Sequence, residues 1–219
     1  MSKLTYNTPA RITVTRSTSA IPFKKGLKHL LRKLDRHRGF YLSSGYEYPE
    51  RYSRWDVASI FPPLEIVAAG RDVEFRPLNK RGLVINQLLS AVLEKHPHWD
   101  EFATHEDGTL QGRLKPLPKL FPEEERSKQP SAFGILRALI QEFSNPNDTR
   151  LALVGAFGYD LLFQFDPIGL KLPREGAKDL HLFLCDDIYY MDRKKEQIER
   201  FRYDFSRDSL STQGLPRTA

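Results

Sequence analysis

Cysteine is nearly absent from this chain of 219 residues, and long apolar segments are absent altogether. The single cysteine, Cys185, excludes an internal disulfide bond and favours a reducing compartment. No apolar stretch approaches the roughly 18 residues that a membrane-spanning helix needs. The N-terminal residues also lack the succession of charged, apolar and small segments that marks a secretory signal. We therefore expect a cytoplasmic location and no membrane partner.

The chain is basic, but its charge is unevenly distributed. Residues 1–55 contain twelve Lys or Arg and three acidic residues, a net charge of +9 within a total of +6. Such a segment can meet nucleic acid, a membrane surface or an acidic protein, so a free-standing nucleic-acid-binding module is one alternative. The basic helix predicted at 23–38 lacks aromatic residues on its charged side and a helix-turn-helix companion. We favour a solvated helix face and expect no nucleic-acid partner.

An apolar share of 40% indicates a folded chain, and its patterns predict an α+β fold with mostly antiparallel sheets. We expect one domain at 10–206, a loose lead-in at 1–9 and a polar tail at 207–219. Helices are predicted from Ser19 or Pro22 to Gly39, at 83–93 and at 131–143. Strands are predicted at 11–15 and 40–44, in a meander of 54–61, 64–69 and 72–77, and in a hairpin of 179–192 with 197–205. Residues 96–130 are predicted to form a long irregular connection.

The run Leu153-Val154-Gly155-Ala156-Phe157-Gly158-Tyr159-Asp160-Leu161-Leu162 is the most informative segment. Its small residues permit close backbone approach between apolar flanks. Gly155 and Gly158 do not form a phosphate cradle, because a third glycine and a lysine are missing. We therefore interpret Gly155, Gly158, Tyr159 and Asp160 as a structural packing junction rather than a solvated loop.

No set of residues predicts catalysis or metal binding. Three histidines lie near acidic residues, but their spacing matches no metal-ligand pattern and favours exposed loop residues: His96, His98 and His105, with Asp100, Glu101 and Asp107. His181 is interpreted as a structural histidine and Cys185 as a buried small hydrophobe. Asp186 and Asp187 are neighbours in a strand and should point to opposite faces, which argues against a shared ion.

Ser43 and Ser44 end a predicted strand beside Tyr46, Tyr52, Ser53 and Arg54. Hydroxyls and backbone groups at such a strand end can take the polar end of an amino acid, and a cation can take its carboxylate. The residues therefore suggest a possible amino-acid-binding site without requiring one.

Three segments together resemble the N-terminal region of anthranilate synthase component I. Tyr41-Leu42-Ser43-Ser44 stands where that family has Leu-Leu-Glu-Ser, and Gly155–Leu162 is similar to its Gly-Leu-Phe-x-Tyr-Asp-Leu-Val. Residues 179–195 resemble the strand pair that follows. The sequence from Tyr46 to Asp56 is most similar to the variety whose synthase and glutaminase halves are fused.

The resemblance implies a layered α/β sandwich and a part in converting chorismate, with glutamine or ammonia, to anthranilate and pyruvate. Its Mg²⁺ ligands and catalytic residues belong to a C-terminal chorismate-binding domain, so no catalytic or metal residue is expected here, and this chain alone should be inactive. The implied partners are that domain and a glutamine amidotransferase domain or subunit. Apolar seams should lie exposed beside residues 151–165.

The resemblance also implies half of a feedback site for L-tryptophan, formed by Leu42, Ser43, Ser44 and Arg54. Ser44 matches the family by identity, whereas Ser43 replaces its glutamate. The same region of a sister chorismate enzyme, an aminodeoxychorismate synthase or a phenazine-pathway synthase, is a second alternative.

Overall fold

Two antiparallel β-sheets and three α-helices form the chain, in a computed structural model that describes residues 2–44, 54–118, 122–165 and 176–218. This confirms the α+β class. The strands are β1 Ser2–Asn7, β2 Thr13–Pro22, β3 Gly39–Ser43, β4 Trp55–Ile60, β5 Leu64–Ala69, β6 Asp72–Pro77, β7 Trp99–Thr104, β8 Leu110–Leu114, β9 Leu153–Phe157, β10 Leu180–Leu184, β11 Asp187–Asp192, β12 Gln197–Arg207 and β13 Leu210–Ser211. The helices are α1 Phe23–Leu34, α2 Lys80–Leu93 and α3 Ala132–Phe143, with 3-10 helices at Glu123–Lys128 and Tyr159–Gln164.

The first sheet, sheet A, has the strand order β1-β2-β12-β11-β4-β3, and β13 extends the end of β12. The second, sheet B, has the order β7-β8-β6-β5-β10-β9. The chain passes from one sheet to the other twice, between Ile60 and Leu64 and between Leu184 and Asp187. We call the place where these two links lie the corner. Strands β3 and β9 form the edges of their sheets next to it.

The core occupies two spaces on either side of sheet A. Alternation along a strand turns successive side chains to opposite faces, so β2, β3, β4, β11 and β12 contribute to both spaces. The larger space lies between sheet A, sheet B and the helices α2 and α3, and includes Val14, Ile66, Leu89 and Phe201. The smaller lies under α1, where Leu30 packs against residues of β4, β11 and β12.

A buried charge network joins the start of α2 to the corner. Arg81 is fully buried and donates to the Asp186 carboxylate and, at 2.9 Å, to Asp204 Oδ1. Its guanidinium also donates to the carbonyl oxygens of Thr212 (2.6 Å) and Tyr203 (2.7 Å). All its contacts are therefore directed at the corner, at β12 and at the residues after it.

The structure corrects three expectations about irregular segments. Residues 1–9 contain β1, which pairs with β2, rather than a loose lead-in. Residues 96–130 contain β7 and β8, which pair with each other and join sheet B through β6. Residues 207–218 are not merely a polar tail, because β13 pairs with β12 and Thr212 is fully buried.

The strand pairing was predicted only in part. The hairpin of β11 and β12 is confirmed, and so is the pair β5–β6. The expected meander is wrong at its first strand, since β4 belongs to sheet A and pairs with β3 and β11. Likewise β10 belongs to sheet B, because the chain turns the corner at Cys185 and Asp186. Helix α1 begins after Pro22, which confirms one of the two predicted starts. It ends at Leu34, earlier than the predicted end at Gly39.

Candidate functional site

The predicted effector residues lie at the strand ends of sheet A that are farthest from the corner. There β3 and β11 end and β4 begins. The register pairs Ser43 with Asp56 and Trp55 with Asp192. Since side chains alternate along each strand, these two pairs lie on opposite faces of sheet A. The strand end therefore presents two separate groups of side chains.

The first group lies on the face of sheet A that α1 covers, and we call its members, Tyr41, Ser43, Asp56 and Arg193, the Arg193 cluster. The Arg193 guanidinium donates through Nε to Asp56 Oδ2 at 2.6 Å and through Nη2 to the Tyr41 hydroxyl at 2.8 Å. Nη2 also lies 3.1 Å from Ser43 Oγ. The Tyr41 hydroxyl donates to Asp56 Oδ2 at 2.7 Å, so one carboxylate oxygen holds both neighbours in place.

The electrostatics of the Arg193 cluster favour ionised Arg193 and neutral Tyr41. The hydrogen bond to Asp56 raises the pKa of Arg193 above its ordinary value. Burial raises the pKa of Tyr41, and its hydrogen bond to Asp56 adds to that effect. Asp56 itself is fully buried, whereas the Arg193 side chain is 38% exposed. The cluster is thus a cation at the surface, oriented by a carboxylate beneath it.

The second group lies on the other face and contains Arg54. Its guanidinium donates to Asp192 Oδ2 through Nη2 at 2.8 Å and Nε at 3.1 Å, and it lies 4.5 Å from the centre of the Trp55 ring. The hydrogen bond from Arg54 lowers the pKa of Asp192. The other oxygen of Asp192 accepts from the backbone amides of Lys194 and Lys195. These contacts connect the start of β4 to the turn after β11.

Within the described residues, no hydrogen bond joins the Ser44 side chain to Arg54. The Ser44 hydroxyl donates to the carbonyl oxygen of Trp55 at 2.8 Å and accepts from its backbone amide at 3.2 Å. The Leu42 side chain is 55% exposed. The hydroxyl of Ser44 therefore extends the pairing of β3 and β4, and Leu42 offers an apolar contact surface.

The structure thus brings one predicted residue, Ser43, together with three that sequence reasoning missed: Tyr41, Asp56 and Arg193. Tyr46, Tyr52 and Ser53 lie outside the described residues. Asp56 could have been predicted from the alternation of side chains along β4. If β4 is assumed to pair with β3, this alternation places Asp56 on the same face as Ser43. No sequence signal places Arg193 here, because only the register between β4 and β11 brings it to Ser43.

The glycine-containing run forms the edge strand β9 and the start of the 3-10 helix after it. Gly155 is needed because a methyl group there would overlap the backbone carbonyl oxygen of His181 in β10. The Gly158 amide donates to the carbonyl oxygen of Asp179 at 2.7 Å. Tyr159 is 87% exposed, so its ring does not pack within the described residues. Ser44 follows β3 of sheet A and Tyr159 follows β9 of sheet B, each after the strand end that lies away from the corner.

The other candidates for chemistry are engaged in structural contacts. Within the described ranges, no group of three or more His, Cys, Asp or Glu could hold a metal ion. His181 is hydrogen-bonded to Glu65, and burial raises the pKa of Cys185 to about 12. Asp186 contacts Arg81, and Asp187 binds Arg200 through two hydrogen bonds, so they do not share a partner. No helix in the described part is long and apolar enough to cross a membrane.

Fold and site together define an α+β region. A polar cluster lies at the β3 edge of sheet A, and the glycine-containing strand β9 forms an edge of sheet B. No protein-family model matches the chain. It is similar to the anthranilate synthase of Azospirillum brasilense, with 37% identity over 98% of this chain and 29% of that enzyme. The chain thus spans less than a third of that enzyme's length and is similar to one region of it.

Proposed function

We propose that this chain is the N-terminal regulatory and scaffold region of an anthranilate synthase, of the variety with fused synthase and glutaminase portions. The complete enzyme would convert chorismate, with glutamine or ammonia, into anthranilate and pyruvate in the cytoplasm. The observation that carries the proposal is the similarity along 98% of the chain to one part of a named anthranilate synthase.

An exposed apolar surface supports a scaffold role. Phe157 is 54% exposed and Ile140 56%, although both are large apolar side chains. Between α3 and β9 an apolar groove of about 500 Å³ is lined by Ile140, Phe143, Leu151 and Leu153 among others. Surfaces of this kind mark contact with a partner. The proposed partner is a C-terminal chorismate-binding domain.

We also propose that the 219-residue chain does not by itself convert chorismate to anthranilate. Mg²⁺, the cofactor of the proposed reaction, would be bound outside this chain, by the proposed C-terminal domain. The glutamine amidotransferase is likewise a proposed partner, joined to the same polypeptide or bound as a subunit.

A chimera tests this proposal. In it, this chain replaces the matching 29% of the Azospirillum enzyme. We expect the chimera to form anthranilate from chorismate, ammonia and Mg²⁺, measured by anthranilate fluorescence, while the isolated chain forms none. A matched chimera carrying Phe157→Asp should lose activity, because it places a charge on the proposed contact surface. A folded chimera without activity, or an active isolated chain, would contradict the proposal.

The regulatory part of the proposal concerns L-tryptophan. The strand end formed by Leu42, Ser43 and Ser44, with Arg54 after it, is proposed to supply half of the effector site. An effector held by two portions of an enzyme shifts their arrangement only by its differential affinity for the two states. L-tryptophan should therefore bind the isolated chain weakly and inhibit the chimera. Absence of both effects would contradict this part.

A further inference from the structure

The Arg193 cluster holds hydrogen-bond donors that the protein leaves unused. Of the five N–H donors of a guanidinium, the Nε donor goes to Asp56, and Nη2 serves Tyr41 and Ser43. Within the described part of the chain, Arg193 Nη1 has no recorded hydrogen-bond partner. The Ser43 hydroxyl accepts from Arg193 and is also hydrogen-bonded to Tyr41. The N–H donors of Nη1 therefore lie next to the Ser43 hydroxyl at a partly exposed cation.

Adjacent N–H donors on a fixed cation are complementary to a carboxylate. A guanidinium binds planar anions better than an ammonium because its donors form a rigid fork. Here the fork is already oriented, since Asp56 and Tyr41 hold two of its three nitrogens. A ligand would therefore lose little side-chain freedom at Arg193 on binding.

Arg54 is less suited to this role than the resemblance implied. Two of its nitrogens donate to Asp192, and its guanidinium lies over the Trp55 ring on the opposite face of sheet A from Ser43. It makes no side-chain contact with the Ser43 or Ser44 hydroxyl among the described residues. Arg193, in contrast, directly contacts Ser43, which stands at the family's glutamate position.

A second observation points to a ligand that carries a donor as well as a carboxylate. Asp56 is fully buried, and its Oδ1 atom has no hydrogen-bond partner in the described structure. A buried acceptor without a donor carries a free-energy cost. An ammonium group placed next to the Arg193-bound carboxylate would supply that donor once ligand binding exposes Oδ1. The α-amino acid backbone has this arrangement of charges.

We infer that Arg193, together with the Ser43 hydroxyl, binds the α-carboxylate of an amino-acid effector, and that Asp56 and Tyr41 position the guanidinium. The inference rests on the proposed function, because it concerns the same regulatory site. It moves the carboxylate-binding cation from Arg54 in the loop after Ser44 to Arg193, which lies 150 residues after Ser43 in the sequence.

The experiment measures ligand binding to the purified 219-residue chain by saturation-transfer NMR, which detects weak complexes. The probes are L-tryptophan, tryptamine, which lacks the carboxylate, and indole-3-propionate, which lacks the ammonium group. The variants are Arg193→Gln, Arg54→Gln and, as a matched control, Lys194→Gln. The control removes the same charge from the same exposed turn without a recorded side-chain contact.

We expect Arg193→Gln to weaken L-tryptophan binding at least tenfold and to leave tryptamine binding unchanged, because only the former uses the carboxylate. A merely structural role of Arg193 would weaken both ligands equally. Lys194→Gln should change either affinity less than twofold.

Equal affinity of the unaltered chain for tryptamine and L-tryptophan would overturn the inference. So would a loss caused by Arg54→Gln and not by Arg193→Gln, although the proposed function would then stand. If the unaltered chain binds none of the three probes, the regulatory proposal fails and this inference fails with it.

Discussion

Replacing Arg81 with methionine tests whether the corner depends on its buried charge network. The exchange keeps much of the side-chain volume but removes the positive charge and every donor. Asp186, which is 1% exposed, then keeps a single cation in its surroundings, Arg217, at 3.6 Å. The carbonyl oxygens of Thr212 and Tyr203 lose donors at the same time.

Removing one partner of a buried ion pair typically costs about 3–5 kcal/mol of unfolding free energy, because the remaining charge is left in a poor solvent. Against a total of about 5–15 kcal/mol for a domain, this is a large fraction. For a chain of this size it corresponds to a melting temperature lowered by roughly 6–20 °C. Urea unfolding followed by circular dichroism measures the change directly.

The deficit should also depend on pH. Burial raises the pKa of Asp186, while Arg81 opposes that rise. Without Arg81 the native-state pKa of Asp186 rises further, because the charged carboxylate loses its main partner. The loss of unfolding free energy is therefore largest at neutral pH, where the unfolded chain carries an ionised Asp186. It should shrink as the pH falls through the raised native pKa towards the ordinary value of about 4.

A double variant, Arg81→Met with Asp186→Leu, removes both charges and should recover part of the loss. A deficit of Arg81→Met below about 1 kcal/mol, the same at neutral and acidic pH, would refute the reasoning. It would mean that water or chain movement compensates Asp186 in the variant.

Three further predictions concern β9, Cys185 and the exposed apolar surface. Gly155→Val should destabilise the edge strand β9, because its side chain would overlap the His181 carbonyl oxygen, and faster amide exchange of β9 in NMR would check this; unaltered exchange would contradict it. Cys185, buried and with its pKa raised to about 12, should resist Ellman's reagent at pH 8 in the native chain and react only in denaturant, so rapid native labelling would disprove its burial. Ile140→Glu combined with Phe157→Lys should reduce self-association in light scattering, since both side chains are more than half exposed; an unchanged oligomer distribution would place the contact elsewhere.

The helices of the large core were predicted close to their observed bounds. In α2 and α3, apolar residues recur every three or four positions and pack against the core, so the sequence period reports the packed face directly. The strand β1 was missed because it pairs only with β2 and buries no residue fully. In β7 most side chains are also exposed, which removes the alternation that reveals a strand.

Strand pairing and the site depend on contacts between distant segments. The turn at Cys185 and Asp186 looks like a continuous strand in sequence, yet it moves the chain from sheet B to sheet A. Ser43 was predicted from the end of β3. The partner that contacts it, Arg193, lies in a turn whose neighbours are set by the pairing of β4 with β11. Local patterns do not contain that register.

Sheet A joins two segments that lie far apart in sequence, since Thr13–Pro22 pairs with β12. On the ribosome, β2 must therefore wait beside β1 until β12 has been synthesised. During that delay one edge of the nascent β1–β2 hairpin has no partner, and open strand edges are where newly made chains aggregate or bind chaperones. Slow closure of this sheet is expected to limit the rate of folding, because the pairing joins strands with a large sequence separation.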